Sequence, residues 1–149
     1  MKHVAVFLFA VASLLAFAPR SAFATPTTLT VTEYTDAAVA AASNAADTSN
    51  GNRFKNTDEN VFVMFQNTHG SNSSTVTITA QTTSKYVPGY GTLTRADISV
   101  VLAAGAVKFV GPLPRNIFND ASGYVNMTYS GTGTVVVTPF TGRGLTKGQ

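Results

Sequence analysis

A single all-β sandwich of jelly-roll type is the fold this sequence predicts, and three observations predict it. Seven or eight short runs, apolar or alternating, recur along the chain; turn chemistry separates them; and no internal repeat appears at a fixed period. The chain has 149 residues, room for one domain and little more. Abundant Thr, Ser, Asn and Gly, with charged residues at only 11%, suit a sheet whose surface is polar but uncharged. There is no cysteine, so stability must come from core burial or assembly rather than disulfides.

The first 24 residues stand apart. Lys2 and His3 precede an apolar run from Val4 to Ala18; Pro19-Arg20-Ser21 breaks it, and Ala22-Phe23-Ala24 supplies a small-x-small cleavage pattern. This is the layout of a secretory signal, and the run is short for a membrane span. The alternative is a hydrophobic arm that stays on the protein. The expected organisation is a signal-like segment or arm over 1–24, an N-terminal strand with an Ala-rich linker over 25–48, the sandwich over 49–140, and a flexible tail over 141–149.

Taken in order, Thr27 to Thr35 alternates at Leu29 and Val31 and reads as a first strand. Ala37 to Ala42 has the propensity for a short helix but lacks a wide apolar face. Thr48 to Asn52 reads as a loop. Val61 to Asn67 is nearly continuous in apolar residues, as a central buried strand would be. A polar loop follows, and then Thr75 to Gln81 alternates with Val76, Ile78 and Ala80 on one face. Pro88-Gly89 marks a turn between Lys85 and Gly91. Ile98–Leu102 and Ala106–Val110 are strands separated by Ala103-Ala104-Gly105. After the corner Gly111-Pro112-Leu113-Pro114, strands at Tyr124–Tyr129 and Val135–Thr138 complete the set.

Charge excludes one function class. Ten Lys and Arg face seven Asp and Glu; without Lys2 and Arg20 the balance is eight to seven, and no basic stripe for nucleic acid remains. Catalytic equipment is also thin. Beyond residue 24 the one histidine is His69, in a Gly/Ser loop with no serine-hydrolase motif around it, which reads as a solvated loop residue. A zinc site lacks ligands. Asp36, Asp47, Asp58, Glu59, Asp97 and Asp120 lie in no aromatic-lined setting for sugar hydrolysis and read as turn acids. Asp47 to Asn52 matches a calcium loop only in part: Ser49 and Gly51 stand at ligand positions and the distal Glu is missing, so it reads as a turn. Gly131-Thr132-Gly133-Thr134 reads as a hairpin turn, not a phosphate cradle. The sequence therefore predicts no enzyme, no cofactor and no metal. The candidate contact residues are Tyr86, Tyr90 and Arg95, aromatics and an arginine around a projecting turn, where tyrosines can also cover the end of the sandwich.

From about Ser49 to Pro139 the wording resembles a family of small accessory structural proteins of tailed-phage virions. The resemblance is carried by Asn50-Gly51-Asn52-Arg53-Phe54-Lys55-Asn56, by Val61 to Asn67 and by Thr75 to Thr79. It continues through Ala104-Gly105-Ala106, Gly111-Pro112-Leu113-Pro114, Phe118-Asn119, and Gly123-Tyr124-Val125-Asn126 running into Tyr129-Ser130. It implies a compact β-sandwich that decorates or cements a capsid in repeated copies. The partners it implies are the major capsid protein, other virion proteins and copies of itself, with no nucleic acid and no small-molecule substrate. The signal-like start supports a different expectation, an exported cell-surface or filament subunit of adhesin type, whose strand Thr28 to Thr32 would pair with a neighbour's sheet edge. A secreted carbohydrate-binding module shares the fold class but would lack Trp platforms.

Overall fold

Alternation of side chains, two residues to a period, builds nearly everything in the computed structural model, which describes residues 25–142 except Asp36, Asp58 and Tyr90. The strands are β1 (Thr27–Leu29), β2 (Thr32–Tyr34), β3 (Asn44–Ala45), β4 (Asn52–Lys55), β5 (Val61–Asn67) and β6 (Ser74–Ile78). They continue with β7 (Ser84–Val87), β8 (Gly91–Thr94), β9 (Ile98–Leu102) and β10 (Val107–Val110), then a four-residue helix α1 (Arg115–Phe118), β11 (Tyr124–Gly131) and β12 (Val135–Gly142).

Two mixed five-stranded sheets result. Sheet A runs β1-β4-β11-β6-β9; sheet B runs β10-β5-β12-β2, with β3 also paired to β12. β7 and β8 form a separate hairpin. The strands alternate strictly: in β5, Val61, Val63, Phe65 and Asn67 are buried while Phe62, Met64 and Gln66 are half-buried. Buried residues of both sheets meet in one core of Phe54, Val63, Phe65, Val76, Ile78, Leu102, Val125, Met127 and Val137, the arrangement of a β-sandwich. Each fully buried Phe contributes about 2–3 kcal/mol of burial.

The corner predicted at Gly111 to Pro114 is present and closes one end. Leu113 and Phe118 are both about 1% exposed. Asn56 Nδ2 donates to the Leu113 carbonyl at 2.8 Å and to Asn119 Oδ1 at 2.9 Å, and Asn119 Nδ2 donates back to the Asn56 carbonyl at 2.9 Å. The reciprocal pair ties the start of the β4–β5 loop to the end of α1.

Several expectations need correction. The strand read over residues 27–35 is two strands in two sheets: β1 pairs parallel with β4 and β2 parallel with β12, the chain crossing between them at Thr30-Val31. Ala37 to Ala42 forms no helix; apart from half-buried Ala42 it is exposed, because there is no large apolar face to bury. The predicted loop ends early, since Asn52 opens β4. Val61–Asn67 is central in sheet B but fully buried on one face only. Within 25–48 the segments Thr27–Leu29, Thr32–Tyr34 and Asn44–Ala45 are strands of the two sheets, and β12 runs past 140 to Gly142. The signal-like segment 1–24 and the tail from 143 lie outside the described residues. No helix among the described residues is long and apolar enough to cross a membrane.

Candidate functional site: two sheet faces and a clamped loop end

The outer faces of the two sheets differ in chemistry. On sheet A the register aligns Thr28, Arg53 and Asn126 in one row, Thr128, Thr77 and Ser99 in the next, and Ser130, Thr75 and Val101 in a third. This face is almost all hydroxyls and amides. At one end the Arg53 guanidinium and the Lys55 ammonium each lie 4.6 Å from the centroid of the Tyr124 ring. Asp120 stands close by, and burial works to raise its pKa. The backbone N–H of Tyr124, the Asn126 amide, the Ser122 N–H and the charge of Arg53 outweigh that and hold it below the usual carboxylate range.

Sheet B presents aromatic rings outward. Phe62 on β5 and Phe140 on β12 are direct partners and stack at 5.8 Å. Tyr34 meets Phe140 edge-on at 5.3 Å, and Phe109 does so at 6.3 Å from the other side. Phe109 is 63% exposed and its neighbour Val107 46%. A row of four rings thus crosses sheet B on its solvent side, with Met64 and Gln66 beside it. Farther along β12, Thr138 shares that face but is buried, its hydroxyl 3.2 Å from that of Ser43, so the segment leading into β3 covers part of the face, while Tyr34, Phe62 and Phe140 are half-buried and Phe109 is exposed.

The loops at one end are clamped by Asn67, which is fully buried at the end of β5. Its Nδ2 donates to the carbonyls of Asn72 at 2.7 Å, Leu102 at 3.2 Å and Ala103 at 3.1 Å, and its Oδ1 accepts from the His69 N–H at 3.1 Å. His69 is half-buried, not the solvated residue expected. Its Nδ1 accepts the backbone N–H groups of Ser71 at 3.1 Å and Asn72 at 3.0 Å, which gives it a loop-organising role.

The Asp47 segment is the turn expected. The Asp47 carboxylate accepts from the Thr27 hydroxyl at 2.7 Å, from the backbone of Asn50 at 2.9 Å and Ser49 at 3.1 Å, and from Asn50 Nδ2 at 3.1 Å. Those donors, Thr27 foremost, lower its pKa to about 2. A carboxyl depressed in the fold adds stability above its unfolded value near ~4, and that stability is lost as pH falls through about 2. Urea unfolding between pH 4 and pH 2 is therefore expected to show stability falling with pH, with a shallower fall in Asp47→Asn; equal slopes would refute the assignment.

Among the predicted contact residues, Tyr86 is 69% exposed on the β7–β8 hairpin. Arg95 follows β8, its backbone N–H bonded to the Thr83 carbonyl at 2.7 Å and its guanidinium 5.6 Å from the ring centroid of buried Phe118. Arg95 therefore covers the corner as well as facing solvent. Tyr90 lies outside the described residues. The aromatic row on sheet B escaped sequence reasoning because its rings come from four separate segments. The signal was there in Val61 to Phe65, where apolar residues fill both phases of the alternation. Among the described residues no group of three His, Cys, Asp or Glu is placed to hold a metal ion. Comparison with protein-family models, with curated proteins and with solved structures finds no match to this chain.

Proposed function

We propose that this chain is a non-enzymatic structural subunit of a tailed-phage virion, a capsid decoration or cement-like protein of jelly-roll type. It acts through contacts with the major capsid protein or other virion proteins and with copies of itself. The observation that carries this reading is the row Tyr34, Phe140, Phe62 and Phe109 on the outer face of sheet B. Aromatic side chains are enriched at the cores of protein interfaces, and a contiguous solvent-facing row of them fits a contact surface better than a monomer's exterior. The wording of Ser49 to Pro139 supports the virion setting.

The test is mass spectrometry of purified virions and of the host culture supernatant. Peptides from Thr25 onward in particles, at a stoichiometry near that of the major capsid protein, are expected. An intact mass starting at Thr25 would rule out a retained N-terminal arm. Detection only in the cell-surface or supernatant fraction would overturn the virion reading. That outcome would leave the second one, an exported surface or filament subunit, which the secretory layout of residues 1–24 and the edge position of β1 and β2 favour.

The β7–β8 hairpin is the second contact in this reading. Tyr86→Ser is expected to move Tm by no more than ~2 °C while lowering occupancy on particles several-fold. Unchanged occupancy would remove the hairpin from the interface.

A further inference from the structure

Four strand edges flank the two sheets, and the edge at β10 differs from the rest. On the opposite flank the edges are made by β1, β2 and β3, pieces of two or three residues. β9 closes sheet A with Ser99 and Val101 on its outer side. β10 closes sheet B with Val107 and Phe109 exposed beside the aromatic row.

The hydrogen-bond pattern shows which backbone groups of β10 face outward. The Ala106 carbonyl accepts the Asn67 N–H at 2.9 Å, and the antiparallel register continues Val107 to Gln66, Lys108 to Phe65 and Phe109 to Met64. Paired residues alternate along an antiparallel ladder. Lys108 and Val110 therefore turn their N–H and C=O toward β5, as Ala106 does its carbonyl while its N–H donates to the Ala103 carbonyl at 3.1 Å, and Val107 and Phe109 turn theirs away from β5. Among the described residues that leaves two donors and two acceptors without a strand partner, spaced as a strand requires, on a rim bordered by two apolar side chains.

We propose that β10 is a docking edge that accepts an extended segment of a different protein as a further antiparallel strand of sheet B. That segment carries an acidic residue opposite Lys108, between apolar residues opposite Val107 and Phe109. The proposal rests on the reading of this chain as a binding subunit and names the chemistry of its partner. Charge decides against a second copy as the occupant. A symmetric pairing that used all four outward groups would match Val107 with Phe109 and set Lys108 directly against Lys108, and like charges directly opposite are destabilising. Shifting the symmetric register toward the C-terminus brings Gly111 into the pairing, where φ is +135° and the strand has ended. A foreign strand with Asp or Glu at the central position meets neither obstacle. Added strands gain affinity from the main chain and selectivity from alternate side chains.

The experiment titrates the 15N-labelled protein with two acetylated, amidated peptides, Thr-Val-Glu-Val-Thr and the same sequence with Lys in place of Glu. The expected result is amide shift changes centred on Val107 to Val110, with the Glu peptide bound roughly fivefold more tightly and Lys108→Glu reversing the order. Phe109→Pro removes an outward N–H and no bond to β5, so it is expected to abolish binding with the β5 signals retained. Three results would overturn the proposal: no shift with either peptide at millimolar concentration, equal affinity for both, or dimerisation through β10 without peptide. Absence from virions would sink the proposed setting while leaving these titrations to judge the edge itself.

Discussion

Asn67→Ala is expected to lower the unfolding free energy by about 3 kcal/mol, roughly a 10 °C fall in Tm. The residue is fully buried, and its amide serves three carbonyls from two loops while its oxygen takes the His69 N–H. Truncation leaves those groups short of partners inside the protein and opens a void beside Gly133, whose backbone lies close against the side chain. Amide hydrogen exchange separates the two contributions. Loss of the clamp accelerates exchange across residues 69–72 and 103–106 beyond the global change, whereas simple loss of packing accelerates all sites alike. A melting temperature within ~2 °C of the parent would show that solvent replaces the side chain.

Gly51→Ala is expected to be at least as damaging, about 3–4 kcal/mol, and can prevent folding at 37 °C. Gly51 has φ of +79°, a region that L side chains rarely adopt, and an added Cβ would run into the Met127 carbonyl oxygen on β11. Neither the turn nor β11 can give way easily. The Gly51 N–H donates to the Asp47 carbonyl at 2.8 Å, and its own carbonyl accepts the Thr27 N–H at 3.0 Å, which seats β1. The matched control is Gly105→Ala, also at positive φ but with nothing within 4 Å of the added carbon. It isolates the backbone cost of about 1 kcal/mol. Urea denaturation of the pair measures the steric part by difference, and equal losses would show that the contact with Met127 relaxes at no cost.

The two substitutions mark where the fold could be read and where it could not. β5, β6, β9, β11 and β12 were legible because their large side chains alternate or run together, so a period of two appears in the sequence itself. β4 was not, since its inward positions are Asn52 and Phe54, and a buried asparagine looks polar on paper. The same disguise hid Asn67. Ala37 to Ala42 misled in the opposite direction: propensity suggested a helix where no burial could stabilise one. For the first strand the alternation was real, but the change of sheet at Thr30-Val31 depends on β4 and β12, far along the chain. The exposure of Tyr86 was legible because turn chemistry is local. The ring row needs the register of β2, β5, β10 and β12 together, which no single stretch of sequence contains.

The pairing of β2 with β12 joins the opening of the described chain to its close, and synthesis has to respect that order. β5 leaves the ribosome with neither neighbour available: β10 follows about 40 residues later and β12 almost 70. At translation rates of about 5–20 residues per second, Val61 to Phe65 stays uncovered for several seconds. β2 waits longer still, since its seat on β12 does not exist until Phe140 has emerged. A nascent chain of this topology therefore keeps β2 and one side of β5 open until β12 has been made, accessible to a chaperone or an export machine, because β10 can cover only the other side earlier.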